Sequence, residues 1–207
     1  MKIIRAAALL LAALVAGGCQ DMRIEEFAGR EPKLDLYEYF DGRTRAWGMF
    51  EDRFGRVRRE FTVDIAGRRE GADGFVLEED FVYSDGERER RVWRLRRTAP
   101  GSYEGRADDV VGVAQGRVAG NALNWRYVLA LKVGESTWNV DFDDWMFLQP
   151  GGVMLNRARV SKFGIAIGEV TLSFSRDGAA RAGCKERRCL RLSLSLSLFT
   201  DRNTQQG

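Results

Sequence analysis

The chain has 207 residues, and its 44% hydrophobic and 11% aromatic content supports a globular core and excludes a disordered protein. Two of the 33 basic residues lie in the N-terminal leader, which leaves 31 basic against 30 acidic residues and argues against nucleic-acid binding. The absence of histidine excludes Ser-His and Cys-His catalysis and removes the commonest zinc ligand. An enzyme is therefore disfavoured, although catalysis by carboxylates alone remains open.

The N-terminus has the features of an export signal. Two basic residues precede an apolar run over residues 6–16, and small residues lead directly to Cys19. The run is too short for a permanent membrane helix, so we predict a cleaved signal peptide over residues 1–18. The small residues before Cys19 resemble the lipobox of bacterial lipoproteins, which predicts acylation of Cys19; ordinary secretion is the alternative. Gln20 in the next position favours the periplasmic face of the outer membrane.

A polar segment and a short helix follow the leader. Residues 19–33 are mostly polar and are predicted to be a lipidated tether. Leu34, Tyr37 and Phe40 recur at helical spacing, which predicts a short helix that closes one end of the fold.

From residue 43 onward, apolar residues alternate with polar ones between turn signals. The clearest run comprises Leu123, Trp125, Tyr127, Leu129 and Leu131. About ten short strands with turns every 8–12 residues or so are typical of a sandwich or barrel, and the connections are too short for parallel crossovers. We predict an all-β, antiparallel, lipocalin-like (calycin-like) barrel of about eight to ten strands over residues 34–175, with a short N-terminal helix. An open, curved sheet is the alternative.

Residues 176–207 form a C-terminal extension of different character. Five leucines alternate with polar residues between 190 and 198, which is consistent with an extra hairpin or with a disordered tail. Cys184 and Cys189 flank a short charged stretch and suit a hairpin disulfide in an oxidising compartment; free thiols are the alternative. Two thiols without further ligands do not complete a zinc site.

The segment over residues 138–146 carries the densest candidate chemistry. Period-two alternation places Asp141 and Asp143 on one face, whereas Asp144 follows the apolar face of the strand. An inward aspartate among aromatic residues would serve as a polar anchor in a ligand cavity. Binding of a hard cation by the three aspartates, and a solvated strand end, are the other interpretations.

Two further patterns favour structural interpretations. The arginine-rich stretch over residues 88–97 could face anionic headgroups, but its interspersed glutamates favour a solvated strand face. Gly112, Gly116 and Gly120 lie between strands, so they indicate bends or close backbone approach rather than a phosphate-binding loop.

Several motifs resemble one family of bacterial lipoproteins. These motifs are YFDGRTRAWGMFEDRFGRVRREFTVDI, LEEDFVYSDGERERRVW, GNALNWRY, TWNVDFDDWMF and LNRARVSKFGIAIGEVTLSF. They are similar to the family known as domain of unknown function 3833 (DUF3833), over residues 34–175. The resemblance implies an envelope lipoprotein with a lipocalin-like β-fold. Members are often encoded near fatty-acid-modifying enzymes, which implies lipid handling.

Three functional hypotheses follow. The first is a non-catalytic protein anchored to the membrane by its acyl chains, which binds a fatty acid or another lipid without a metal or cofactor. Its predicted binding residues are Trp47, Asn124, Trp125, Trp138, Asp144 and Trp145. The second is an enzyme that uses Asp141 with Asp143 or Asp144 on a lipid or glycan. The third is a solid scaffold that binds other envelope proteins. A hollow apolar interior favours the first, converging carboxylates the second and a filled core the third.

Overall fold

The computed structural model describes residues 22–176, and ten antiparallel strands form a closed barrel within them. Each strand pairs with its neighbours in the chain, and β1 pairs with β10, so the predicted barrel is confirmed and the open sheet is not. The strands are β1 (Gly42–Asp52), β2 (Val57–Glu70), β3 (Gly74–Tyr83), β4 (Arg88–Ala99), β5 (Ser102–Arg106), β6 (Val110–Ala119), β7 (Ala122–Val133), β8 (Ser136–Leu148), β9 (Val153–Lys162) and β10 (Ile165–Arg176).

Alternation along the strands determines which side chains face the interior. On β9, Met154, Asn156, Ala158 and Val160 are buried, while the residues between them are exposed or half-buried. A strand directs successive side chains to opposite faces, so this pattern is expected where one face of the sheet forms the wall of a core.

A short helix closes one end of the barrel, as predicted. Helix α1 (Leu36–Phe40) begins after Asp35, whose Oδ1 accepts hydrogen bonds from the amides of Tyr37 and Glu38. The Tyr37 ring stacks on Phe75 with 4.8 Å between ring centroids, and its hydroxyl donates to the Asp73 carbonyl. We call this the blind end. The opposite end, where β1–β2, β3–β4, β5–β6, β7–β8 and β9–β10 are joined, is the mouth.

The segment before α1 is not the free tether that its polarity predicted. A 3-10 helix (Ile24–Phe27) packs on the outside of the barrel, where Phe27 lies 5.9 Å from the Trp145 ring and 5.3 Å from Phe147. Gly120 permits this contact, because a side chain at that position would collide with the Phe27 carbonyl. At least residues 24–27 of the predicted tether therefore belong to the folded domain.

Several predicted features lie outside residues 22–176: the signal peptide, Cys19, the cysteine pair Cys184 and Cys189, and the C-terminal extension from residue 177. Within the described part of the chain, no helix is long and apolar enough to cross a membrane.

Candidate functional site

The barrel is hollow. Its interior contains a cavity of about 600 Å³ that extends from α1 to the mouth. Near the blind end the wall is apolar, and the side chains there are Leu36, Phe40, Val63, Ile65, Leu77, Leu95, Leu123 and Phe174. The interior therefore offers a chamber for an apolar molecule.

Polar side chains line the cavity on the mouth side of this chamber. We call Glu79, Arg91, Asp109, Asp144 and Asn156 the polar belt; all five line the cavity. Glu79 on β3 and Arg91 on β4 occupy directly paired positions, with 4.0 Å between Arg91 Nη1 and Glu79 Oε2. Arg91 also contacts Asp109, because its Nε and Nη2 both lie 2.8 Å from Asp109 Oδ2. The belt thus lines one cavity with three carboxyl groups, an amide and a guanidinium, and the guanidinium lies within 4.0 Å of two of the carboxyl groups.

Asp144 is buried in the belt without a full set of hydrogen-bond partners. It lies on β8 between Trp125 of β7 and Ala158 of β9, and only 7% of its surface is exposed. Its Oδ1 atom has no hydrogen-bond partner. Burial, with a smaller contribution from the nearby Asp143 charge, raises the pKa of Asp144 to about 8, although Arg91 opposes the rise. Asp144 therefore holds a proton at neutral pH.

The pKa of Glu79 is shifted in the same direction. Burial raises the pKa of Glu79 to about 7, although Arg91 lowers it. The Arg91 pKa is raised, because neighbouring groups, Glu79 foremost, more than offset the effect of burial. Burial also raises the pKa of Tyr127, whose phenol therefore stays neutral. Near neutral pH, the belt therefore carries less negative charge than its three carboxyl groups would suggest.

Two of the predicted binding residues line the cavity. Trp125 and Asp144 face inward on adjacent strands, as the alternation of β7 and β8 predicted. The Trp125 ring fits because Gly105 and Gly116 face it; a Cβ on either would collide with the indole. Gly116 thus marks a close approach, as the sequence indicated.

The structure places the other four predicted residues elsewhere, which corrects their expected position. Trp47 lies on the outer face of β1 and is 47% exposed. Trp138 lies near the mouth, with Lys162 Nζ 3.6 Å from its ring centroid. Trp145 is buried beneath the 3-10 helix on the outer wall. The Asn124 amide donates to the Asp143 carboxylate and to the Asp144 carbonyl instead of entering the cavity. Alternation alone could not reveal that the outer wall is partly covered.

The aspartates of β8 do not converge. Asp141 is exposed, and Asp143 pairs with Arg126 on the outer wall at 3.0 Å, whereas Asp144 faces the cavity. Within residues 22–176, no group of three or more acidic or cysteine side chains is arranged to hold a metal ion. The carboxylate pair and the cation site that were considered as alternatives for this segment are therefore not formed.

Sequence reasoning missed Glu79 and Arg91. Both occupy inward positions: Glu79 lies between Leu77 and Phe81, and Arg91 is two residues before Trp93. The signal was present in the alternation of β3 and β4. It was obscured because Arg91 sits in an arginine-rich run, most of which is solvated.

Comparisons with known proteins agree with the architecture. The model of a family described as "Protein of unknown function (DUF3833)" matches residues 13–176. Among solved structures, the S-type phycobiliprotein lyase CPES from Guillardia theta is similar, with a TM-score of 0.54 and 9% sequence identity. The match covers 75% of this chain and 98% of the lyase chain. At this identity it shows the shared lipocalin-like fold alone. No curated protein matches.

Proposed function

Because the chain belongs to the DUF3833 family, whose description assigns no activity, we propose a function from the barrel itself: it binds an apolar ligand, such as a fatty acid or another lipid, in its interior. The hollow, apolar-walled cavity of about 600 Å³ carries this proposal. Pockets for small molecules typically span ~300–1,000 Å³ and combine an apolar wall with a few polar groups. Barrels of similar strand number hold one small ligand in their interior.

Binding is favoured over the alternatives by the placement of the side chains. The enzyme hypothesis required Asp141 with Asp143 or Asp144. Asp141 is exposed and Asp143 pairs with Arg126 on the outer wall, so Asp144 faces the cavity without either of them. The scaffold hypothesis required a filled core, whereas the interior contains a large cavity.

We further propose that the protein is anchored by acylation of Cys19 at the periplasmic face of the outer membrane. Support comes from the leader sequence and from the small residues before Cys19. Metabolic labelling with an alkyne fatty acid should label the natural protein and not a Cys19→Ser variant. Equal labelling of the two would contradict the anchor.

The binding proposal is tested by native mass spectrometry of the protein purified as its own cells produce it, followed by lipid extraction. We expect a co-purified lipid in stoichiometric amount. A protein that carries no lipid and stays unloaded when mixed with fatty acids, long-chain alcohols and phospholipids would contradict the proposal.

A cavity-filling variant provides the matched test. Ala158 lines the cavity and Arg159 beside it faces solvent, so Ala158→Phe should reduce ligand occupancy at least tenfold while Arg159→Phe should not. The new ring can occupy empty space, so we expect a stability cost of no more than about 1–3 kcal/mol. Equal occupancy in both variants would place the ligand elsewhere.

A further inference from the structure

We infer that the polar group of the ligand is an uncharged or cationic hydrogen-bond donor, a hydroxyl or an amine, which Asp144 and Asn156 bind inside the barrel. This inference rests on the proposed binding function and narrows it: a fatty-acid anion is not the preferred ligand.

The polar belt has no free cation. Arg91 contacts Asp109 through two nitrogens, lies 4.0 Å from Glu79 and lies 3.5 Å from Glu89. Every charged neighbour of its guanidinium is therefore acidic. A ligand carboxylate at this level would have to displace one of these acidic side chains from Arg91.

The polar belt also contains hydrogen-bond acceptors without partners. Asp144 Oδ1, Asp109 Oδ1 and Asn156 Oδ1 are buried and have no hydrogen-bond partner. Asp144 and Asn156 are themselves more than nine-tenths buried. Because an unpaired buried acceptor is costly, a ligand that donates to these oxygens gains affinity, whereas a carboxylate has no proton to donate to them.

The remaining cations of the lining lie away from the belt. Arg59 pairs with Asp85 and Glu87, and Arg88 and Lys132 lie at the mouth. A fatty-acid carboxylate would find an unpaired cation only at the mouth, and it would leave the acceptors of the belt without donors.

Three ligands of equal chain length test the inference: dodecanol, dodecylamine and dodecanoate. The affinity of each ligand is measured by its displacement of the fluorescent probe 1-aminoanthracene from the protein at pH 7. We expect dodecanol and dodecylamine to bind at least tenfold more tightly than dodecanoate. Equal or tighter binding of dodecanoate would overturn the inference while leaving the proposed function intact. Failure of the probe and of all three ligands to bind would overturn the proposed function itself.

A pair of variants on β8 shows where the polar group of the ligand binds. Asp144→Leu should bring the three affinities within about threefold of one another, because the donor-binding carboxyl is lost. Asp141→Leu lies on the same strand but faces solvent, and it should retain the preference. If Asp144→Leu also retains the preference, the polar group does not bind at the belt.

A different observation supports a second inference, which concerns the mouth. The tips of the β1–β2 and β9–β10 hairpins expose large apolar side chains: Phe54 is 70% exposed, Phe163 88% and Ile165 63%. The two hairpins are neighbours because β1 pairs with β10, and the Arg53 amide donates to the Ile167 carbonyl between them. Exposed apolar side chains clustered in this way mark an interaction surface.

Basic residues flank the same tips. Arg53 lies over the Phe54 ring at 4.8 Å, Arg56 follows it, and Lys162 lies 5.4 Å from the Phe163 ring. Apolar and aromatic side chains beside cations are the composition that binds the interface of an anionic membrane. We propose that these two tips enter the headgroup region of an anionic lipid bilayer, so that the mouth opens onto the membrane.

Photo-crosslinking in the native membrane tests this contact independently of any anchor. Benzoyl-phenylalanine replaces Phe163 at the tip or, as the control, Leu155, which is 46% exposed on the barrel wall. We expect the Phe163 position to crosslink to phospholipid at least fivefold more than the Leu155 position. Equal lipid yields, or crosslinks from Phe163 to protein alone, would overturn the proposal.

Discussion

Asp144 illustrates how burial alters the chemistry of a single residue. Its pKa is about 8 in the folded protein and near the ordinary 3.8 in the unfolded chain. At a pH between these two pKa values, Asp144 holds a proton in the folded state and has released it in the unfolded state. Stability is therefore highest below the unfolded pKa and decreases as pH rises toward 8. Glu79, with a pKa of about 7, adds to this dependence in the same direction.

Replacing Asp144 with asparagine should flatten this pH dependence. We expect the natural protein to lose on the order of a few kcal/mol of unfolding free energy between pH 5 and pH 8.5, and Asp144→Asn to lose clearly less, because it retains only the Glu79 contribution. Urea denaturation at the two pH values measures the difference. Asp141→Asn, on the exposed face of β8, is the control and should behave like the natural protein. Parallel curves for all three proteins would mean that Asp144 is not buried as a neutral acid.

The sequence predicted part of this residue-level organisation. Asp144 could be assigned to the apolar face because Val140 and Phe142 precede it in register. The missing partner of its Oδ1 could not be predicted, because that depends on strands β3, β4 and β9. Trp145 shows the opposite case: it was expected to line or cap the cavity, but the 3-10 helix buries it on the outer wall.

At the scale of elements, close packing between β5, β6 and β7 depends on two glycines. Gly105 and Gly116 leave the space that the Trp125 ring occupies. Gly116→Ala should therefore destabilise the barrel by about 1–3 kcal/mol, because the ring must move out of a close-packed position. Adding Trp125→Leu should recover much of this loss, and a double-mutant cycle by thermal unfolding measures the coupling. Purely additive effects would show that the ring and Gly116 do not interact.

The 3-10 helix on the outer wall provides a second test. Phe27→Ala removes a ring that covers Trp145 and Phe147, so we expect about 3 kcal/mol of destabilisation. Trp145 becomes exposed to water, which should shift the tryptophan emission to longer wavelength. Met22→Ala changes an exposed residue of the same segment and should alter neither property. An unchanged emission maximum in Phe27→Ala would indicate that the helix does not cover Trp145.

The elements were predictable to different degrees for a physical reason. The strands and helix α1 have apolar residues at a regular period, and the sequence shows them directly. The 3-10 helix buries only Ile24 and Phe27 within a polar segment. Two apolar residues establish no period, so the sequence predicted a tether in place of a packed element.

For the molecule as a whole, closure of the sheet determines which strands unfold locally first. A closed sheet has no free edge, so the β1 and β10 amides should resist hydrogen exchange as strongly as those of β7 and β8. The weakest region should be β5, which has five residues and an irregular register with β4. Exchange followed by mass spectrometry tests this ranking. Rapid exchange confined to β1 and β10 would contradict closure.

Closure itself could not be derived from the sequence. Strand count and turn spacing predicted an antiparallel barrel, but an open sheet has the same local pattern. The two are distinguished by pairs such as Ala46 with Phe174, which are far apart in the chain and have no local signature.

Helix α1 covers the blind end, so among residues 22–176 the mouth is the one route by which a bound molecule enters and leaves the barrel. If the polar group of the ligand binds at the belt and its chain fills the blind end, then the hydrocarbon tail enters first and leaves last. A recipient, whether a membrane or another protein, would meet the polar group before the tail. Delivery would then be sequential and directional, and a recipient that recognises the polar group could begin to extract the ligand while its chain is still shielded from water.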